Sequence, residues 1–112
     1  MLKDAMDQMA VKTLMGELRK GLQTIYEDRL KGMYLYGSYA RGEADSESDL
    51  DILVVLDRID HYSDEIKRSS QLGADLSLKY GVSISKVYMR ERDWLKRESP
   101  FLANVRDEAI AA

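Results

Sequence analysis

The chain reads as an α/β domain, a small mixed sheet flanked by helices, and three observations predict it. Leucines near the N-terminus recur at helical spacing, and three short apolar runs have the length and composition of strands. Segments of mixed polarity with helical periodicity separate or follow those runs. The expected order is helix, strand, strand, helix, strand, helix.

Residues 3 to 27 carry Leu14, Leu18, Leu22, Ile25 and Tyr26 at spacings of three and four, one stripe of a helix, which Gly16 and Gly21 weaken. "GMYLYG" is a short strand of large apolar and aromatic residues ending at Gly37. After the polar "SYARGEADSES" comes "DLDILVVLD", a strand buried on both faces over its second half. Between 60 and 80, Tyr62, Ile66, Gly73, Leu76 and Tyr80 share a helical face, and Gly81 is placed to stop that helix. "VSISKVYM" is a third strand whose alternation slips between Ile84 and Val87, which predicts a bulge. Ser99 and Pro100 read as the N-cap and first position of a last short helix carrying Phe101, Leu102 and Val105.

At 112 residues, one domain spanning 1–112 is expected, able to bury about two thirds of the surface its unfolded chain exposes. There is no internal repeat, low-complexity tract or Pro- or Gly-rich linker to divide it. The 17 Lys and Arg against 20 Asp and Glu give a net charge of -3 without a long block of either sign. No direct nucleic-acid binding is expected, since such binders usually carry a basic stripe. The absence of Cys excludes disulfides and thiolate metal sites, and the single His61 excludes an imidazole cluster within one chain. Any metal must therefore be held by oxygen. No apolar stretch approaches the roughly 18 residues of a membrane span, and "MLKDAMDQMA" places Asp inside what would be a signal peptide's apolar core. A soluble, cytoplasmic protein is expected.

Function concentrates in "YLYGSYARGEADSESDLDILVV", residues 34 to 55. In a strand, Asp49 and Asp51 project from one face about 6 to 7 Å apart. Carboxylates that close raise each other's pKa unless a cation neutralises them. Hard oxygen ligands at a strand start suit Mg²⁺, which takes one or two carboxylates and completes its shell with water and substrate phosphate. At the other end Gly37 permits close approach of backbone to a phosphate, while Ser38 offers a hydroxyl and an N–H at the start of a helical turn. Arg41 adds positive charge nearby. One end grips phosphate and the other holds the metal that phosphate needs.

Gly37-Ser38, ten intervening residues and Asp49-Leu50-Asp51 resemble the signature of the polymerase-beta-like nucleotidyltransferase superfamily. The wider run "GSYARGEADSESDLDILVVL" is similar to its minimal nucleotidyltransferase (MNT) members, antitoxin-like partners of HEPN-domain proteins. The tail "SPFLANVRDEAI" is similar to theirs as well. The resemblance implies the superfamily's mixed-sheet fold, with Gly37 and Ser38 holding the triphosphate of ATP and Asp49 and Asp51 binding Mg²⁺. It implies attack by a hydroxyl on the alpha-phosphate with release of pyrophosphate. For MNT members the implied partner is a HEPN ribonuclease toxin, and the implied modification is adenylylation of a tyrosine on it. The small size of the chain agrees, because little surface remains to hold an acceptor unless another chain, or a further copy in an oligomer, supplies it.

The superfamily often has a third carboxylate on the neighbouring strand, and here Ser83 or Ser85 stands at that place. Asp75 falls in a helix, and Glu91 and Asp93 fall past the strand. Two alternatives follow: a catalytically weak or inactive fold that neutralises its partner by binding, and a small-molecule nucleotidyltransferase of the aminoglycoside-modifying kind. Lys86 is expected to be a solvated edge lysine, His61 exposed and structural, and Trp94 a core or interface anchor. Tyr34 and Tyr36 are ordinary strand residues, Tyr39 is the tyrosine able to touch nucleotide, and "DEIKRSS" is a solvated helix face.

Overall fold

The computed structural model describes residues 5–96, 100, 102, 103, 105 and 109–111. Helix α1 spans Gln8–Tyr26 and is capped by Asp7, whose Oδ1 accepts from Ala10 N at 2.7 Å. It starts later than the expected residue 3, and its buried face is Leu14, Met15, Leu18, Leu22 and Tyr26, the expected stripe except for Ile25, which is half-buried. A 3-10 turn at Glu27–Arg29 leads to strand β1, Leu30–Tyr36. The single-turn helix α2, Ser38–Arg41, and a loop precede β2, Leu50–Leu56. Helix α3, Tyr62–Tyr80, ends at Gly81 in the left-handed conformation, as its sequence predicts. Strand β3, Ile84–Arg90, runs directly into α4, Glu91–Lys96, and a two-residue strand β4, Ile110–Ala111, closes the order.

The sheet has the order β3-β2-β1-β4. β2 lies antiparallel to β1 and parallel to β3, and β4 adds antiparallel to β1. Alternation along β2 divides the core in two. Leu50, Ile52, Val54 and Leu56 face α1 and α3, while Leu53 and Val55 meet Trp94, Leu102 and Val105 on the other side. Helices α1 and α3 meet closely at Gly21, where an added Cβ would stand 2.6 Å from the methyls of Leu72. Glu17 ties the pair together, accepting from Lys79 Nζ at 2.6 Å and Tyr80 Oη at 2.8 Å.

Several expectations are corrected. β3 pairs with β2 without interruption from Ile84 to Arg90, so the expected bulge is absent, and the sheet's irregularity lies in β1 between Leu30 and Gly32. The alternation slips because Lys86 occupies a position facing α3, where its Nζ donates to Ser69 O at 2.9 Å and Ser69 Oγ at 3.2 Å. It is therefore not a solvated edge lysine. α3 is rotated from the expected face: Tyr62 and Ile66 are exposed, while Glu65, Ser69, Gly73 and Leu76 are buried. "DEIKRSS" is accordingly only partly solvated. Hydrophobicity misplaced the face because its buried polar groups have partners within the fold. In the last segment Pro100, Leu102, Ala103 and Val105 are helical, with Leu102 and Val105 buried. Ser99 and Phe101 lie outside the described residues. No helix among the described residues is long and apolar enough to cross a membrane.

Candidate active site

The site forms where β1 ends and β2 begins. Register places Tyr36 opposite Asp51, so the turn leaving β1 passes the first residues of β2. Gly37 makes that turn at φ 78° and ψ -158°, a conformation in which other residues are strained. A Cβ added there would lie 2.2 Å from Asp51 Oδ2. Backbone and carboxylate are in contact only because the side chain is missing. Ser38 then opens α2, whose turn is closed by Arg41 N donating to Gly37 O at 3.1 Å and Glu43 N donating to Ser38 O at 2.9 Å. The first N–H groups of such a turn have no acceptor within the helix and point toward whatever lies before it. Arg41 stands in the same turn, and its Nε donates to Glu43 Oε2 at 3.0 Å.

The strand opens at Leu50, so Asp49 lies one residue before it and is exposed, whereas Asp51 is half-buried within it. Leu50 is buried toward the helices, and its N donates to Ser83 O at 2.8 Å. Within the strand Asp51 then falls on the opposite side, the one that carries Leu53 and Val55. The structure thus brings Gly37 and Asp51 into contact and sets Ser38 and Asp49 immediately beside them in the chain.

Across from Asp51, in register on the parallel strand, is Ser85. Among the described residues no group of three or more His, Cys, Asp or Glu could hold a metal ion. Asp75 accepts from Gln71 within α3, and Asp93 accepts from Arg90 at 2.9 Å in α4. Glu91 and Asp93 follow the far end of β3, about 20 Å along the strand from Ser85. Lys86 points to the helix-covered face and so away from Asp51. Burial lowers its pKa.

Tyr39 packs against the helix-side core, and its hydroxyl accepts from Met6 N at 3.2 Å. With Asp49 it lines a cleft of about 180 Å³ that also takes in Glu47, Ser48 and Ser83. Sequence reasoning missed this cleft, although Glu43, Asp45, Glu47, Asp49 and Asp51 form a visible run of alternating acids leading to it. His61 is exposed at the start of α3, and Trp94 is a core anchor, its ring 4.7 Å from that of Tyr34.

The sheet thus presents a glycine turn and two carboxylates at one end. Residues 15–103 match the family described as a nucleotidyltransferase domain, and the chain belongs to that family. Its fold is the polymerase-beta-like nucleotidyltransferase fold. Two Methanocaldococcus jannaschii proteins, each named "Putative protein adenylyltransferase", are similar to it. One is 31% identical over 74% of this chain and 83% of its own length, the other 38% identical over 82% and 87%. Among solved structures, a toxin–antitoxin with AMP-PNP matches 95% of this chain and 72% of its own at a TM-score of 0.57 and 20% identity. A tri-AMPylated Shewanella oneidensis HEPN toxin in complex with MNT antitoxin matches 95% and 71% at a TM-score of 0.53 and 18% identity.

Proposed function

We propose that this chain transfers AMP from ATP to a hydroxyl of a partner polypeptide, a tyrosine of a HEPN-domain toxin, and acts as its antitoxin. The observation that carries the proposal is the contact between the Gly37 turn and the Asp51 carboxylate, which sets a phosphate-binding element against an acidic one. The names of the M. jannaschii relatives support transfer to protein, and the MNT–HEPN complex supports the kind of acceptor.

In this reading Gly37 and the N–H groups opening α2 receive the triphosphate, with Ser38 Oγ and Arg41 as further donors. Asp49 and Asp51 would hold Mg²⁺. Their oxygens are a donor set suited to that ion, Asp51 half-buried in the strand and Asp49 exposed just before it. When bound, the metal neutralises charge on the attacking and leaving oxygens. The acceptor oxygen forms a bond to the alpha-phosphorus, the bond from that phosphorus to the pyrophosphate oxygen breaks, and the hydroxyl proton passes to solvent.

The test is incubation of the purified protein with Mg²⁺ and alpha-labelled ATP in a lysate of its host, beside an Asp51→Asn control. Label on a protein band that disappears with Asp51→Asn is the expected result. A second reading has a specific observation behind it: Ser85, and not an acid, stands opposite Asp51. It makes the chain a binder that neutralises its partner by occupancy. Unmodified partner in a stable inactive complex, with Mg²⁺-dependent ATP binding retained, would replace transfer with that reading.

A further inference from the structure

The cleft beside Asp49 has no part in the roles given above, and its size and lining are informative. At about 180 Å³ it is well below the roughly 300 to 1,000 Å³ of pockets that enclose a drug-sized ligand. That size suits one side chain. Asp49 lines it, whereas Gly37, Ser38 and Asp51 do not. The proposed triphosphate site and the cleft share only Asp49, and Tyr39 of the cleft follows Ser38 directly in α2, so the two adjoin at the carboxylate pair.

The lining gives the acceptor's chemistry. Tyr39 and Met6 supply an apolar wall, held together by the hydrogen bond from Met6 N to the Tyr39 hydroxyl, and Ser48 and Ser83 supply polar groups. Glu47 and Asp49 supply negative charge at the opening. Both are exposed, and neither is in an ion pair among the described residues. The loop that carries them also holds Glu43 and Asp45 and no Lys or Arg between Gly42 and Leu50. Such a rim attracts cationic segments and disfavours acidic ones.

We propose that this cleft is the acceptor subsite, taking one hydroxyl-bearing side chain presented by a basic segment of another polypeptide. The inference rests on the transferase reading and deepens it. Two variants test it in the labelling assay described above, each with Mg²⁺-dependent ATP binding measured in parallel. Ser83→Leu fills the cleft while leaving the Ser83 carbonyl to hold Leu50, and label on the acceptor falls about tenfold or more. Glu47→Lys, in an exposed loop where folding is not at risk, raises the acceptor KM about threefold to tenfold, an effect that shrinks as salt is added. ATP binding by both stays at the wild-type level. Wild-type labelling by both variants overturns the subsite while the transferase reading stands. Loss of ATP binding together with label makes the cleft part of the nucleotide site and overturns it too. A wild-type protein that labels nothing removes the transferase reading and the subsite with it.

Discussion

The two faces of the sheet are built from one strand and do opposite things. Toward α1 and α3, β2 contributes Leu50, Ile52, Val54 and Leu56, all fully buried. The polar groups on that side are enclosed and tied to one another. Tyr26 Oη and Ser69 Oγ both donate to Glu65 O, at 3.2 and 3.1 Å, Ser69 Oγ meets Tyr88 Oη, and Arg29 Nη2 donates to Glu65 Oε2 at 2.8 Å. On the other face Trp94, Leu102 and Val105 cover Leu53 and Val55. The end of β2 nearest Gly37 carries Asp51 there, half-buried. Buried polarity is therefore structural in this molecule, and the carboxylates proposed for chemistry sit where the cover thins out. The comparison predicts that damage to the helix-covered face changes stability alone, and damage to the other changes stability and transfer together.

Trp94→Ala should have the largest effect. The indole is buried, stacks on Tyr34 and shares a cluster with Leu53 and Val55, so truncation costs about 3 to 5 kcal/mol. Tyr34 lies two residues before Tyr36, which pairs with Asp51, so loss of the anchor also loosens the register at the site. Urea unfolding and labelling measured on the same sample should both deteriorate. Full activity in a strongly destabilised Trp94→Ala would show that the site end of the sheet does not depend on this cover.

Glu65→Ala tests the opposite face at a smaller scale. Its carboxylate is nearly inaccessible and takes Arg29 at 2.8 Å with Arg68 at 3.5 Å; Oε1 lacks a hydrogen bond among the described residues. Removing one partner of a buried pair leaves the other unpaired, but Arg29 is partly exposed and keeps Asp57 at 3.3 Å. The expected loss is about 2 kcal/mol, below the usual range for a fully enclosed pair. Transfer measured below the unfolding transition should equal wild type. A specific drop in transfer there would break the separation between the faces.

This division was only half legible in sequence. The leucines of α1 and the apolar run of β2 announce their burial because a hydrophobic stripe has one physical use. The proposed site was visible for a related reason: Gly37, with its positive φ, and the Asp49–Asp51 pair are residue types that local geometry and charge restrict. The inward face of α3 was not visible. Glu65, Ser69 and Lys86 look like solvent residues until the fold supplies Tyr26, Tyr88 and Arg29, which come from distant positions in the chain. The cleft stayed hidden likewise, since Met6, Tyr39 and Ser83 meet only in three dimensions. α4 and β4 carry too few residues to show a period.

The smallest effect should appear at alkaline pH, on the helix-covered face. Burial, with Tyr88 and Glu65 adding to it, holds the Tyr26 phenol well above its ordinary pKa of about 10. Burial raises Tyr88 as well. For a group raised by folding, the unfolded chain releases its proton first, so its contribution is complete below pH about 10 and is lost as pH rises toward the folded value. Lys86, lowered by burial, acts in the opposite direction, and it is present equally in wild type and in Tyr26→Phe. The difference between the two proteins therefore reports Tyr26 together with its coupling to Tyr88. Near neutral pH Tyr26→Phe should cost about 1 kcal/mol through the lost hydrogen bond to Glu65 O. Between pH 8 and about 11.5 its urea midpoint should fall less steeply than that of wild type, so that the two curves converge. Parallel curves would mean that Tyr26 ionises without resistance from the fold, and the helix-covered face would then be more open than its packing indicates.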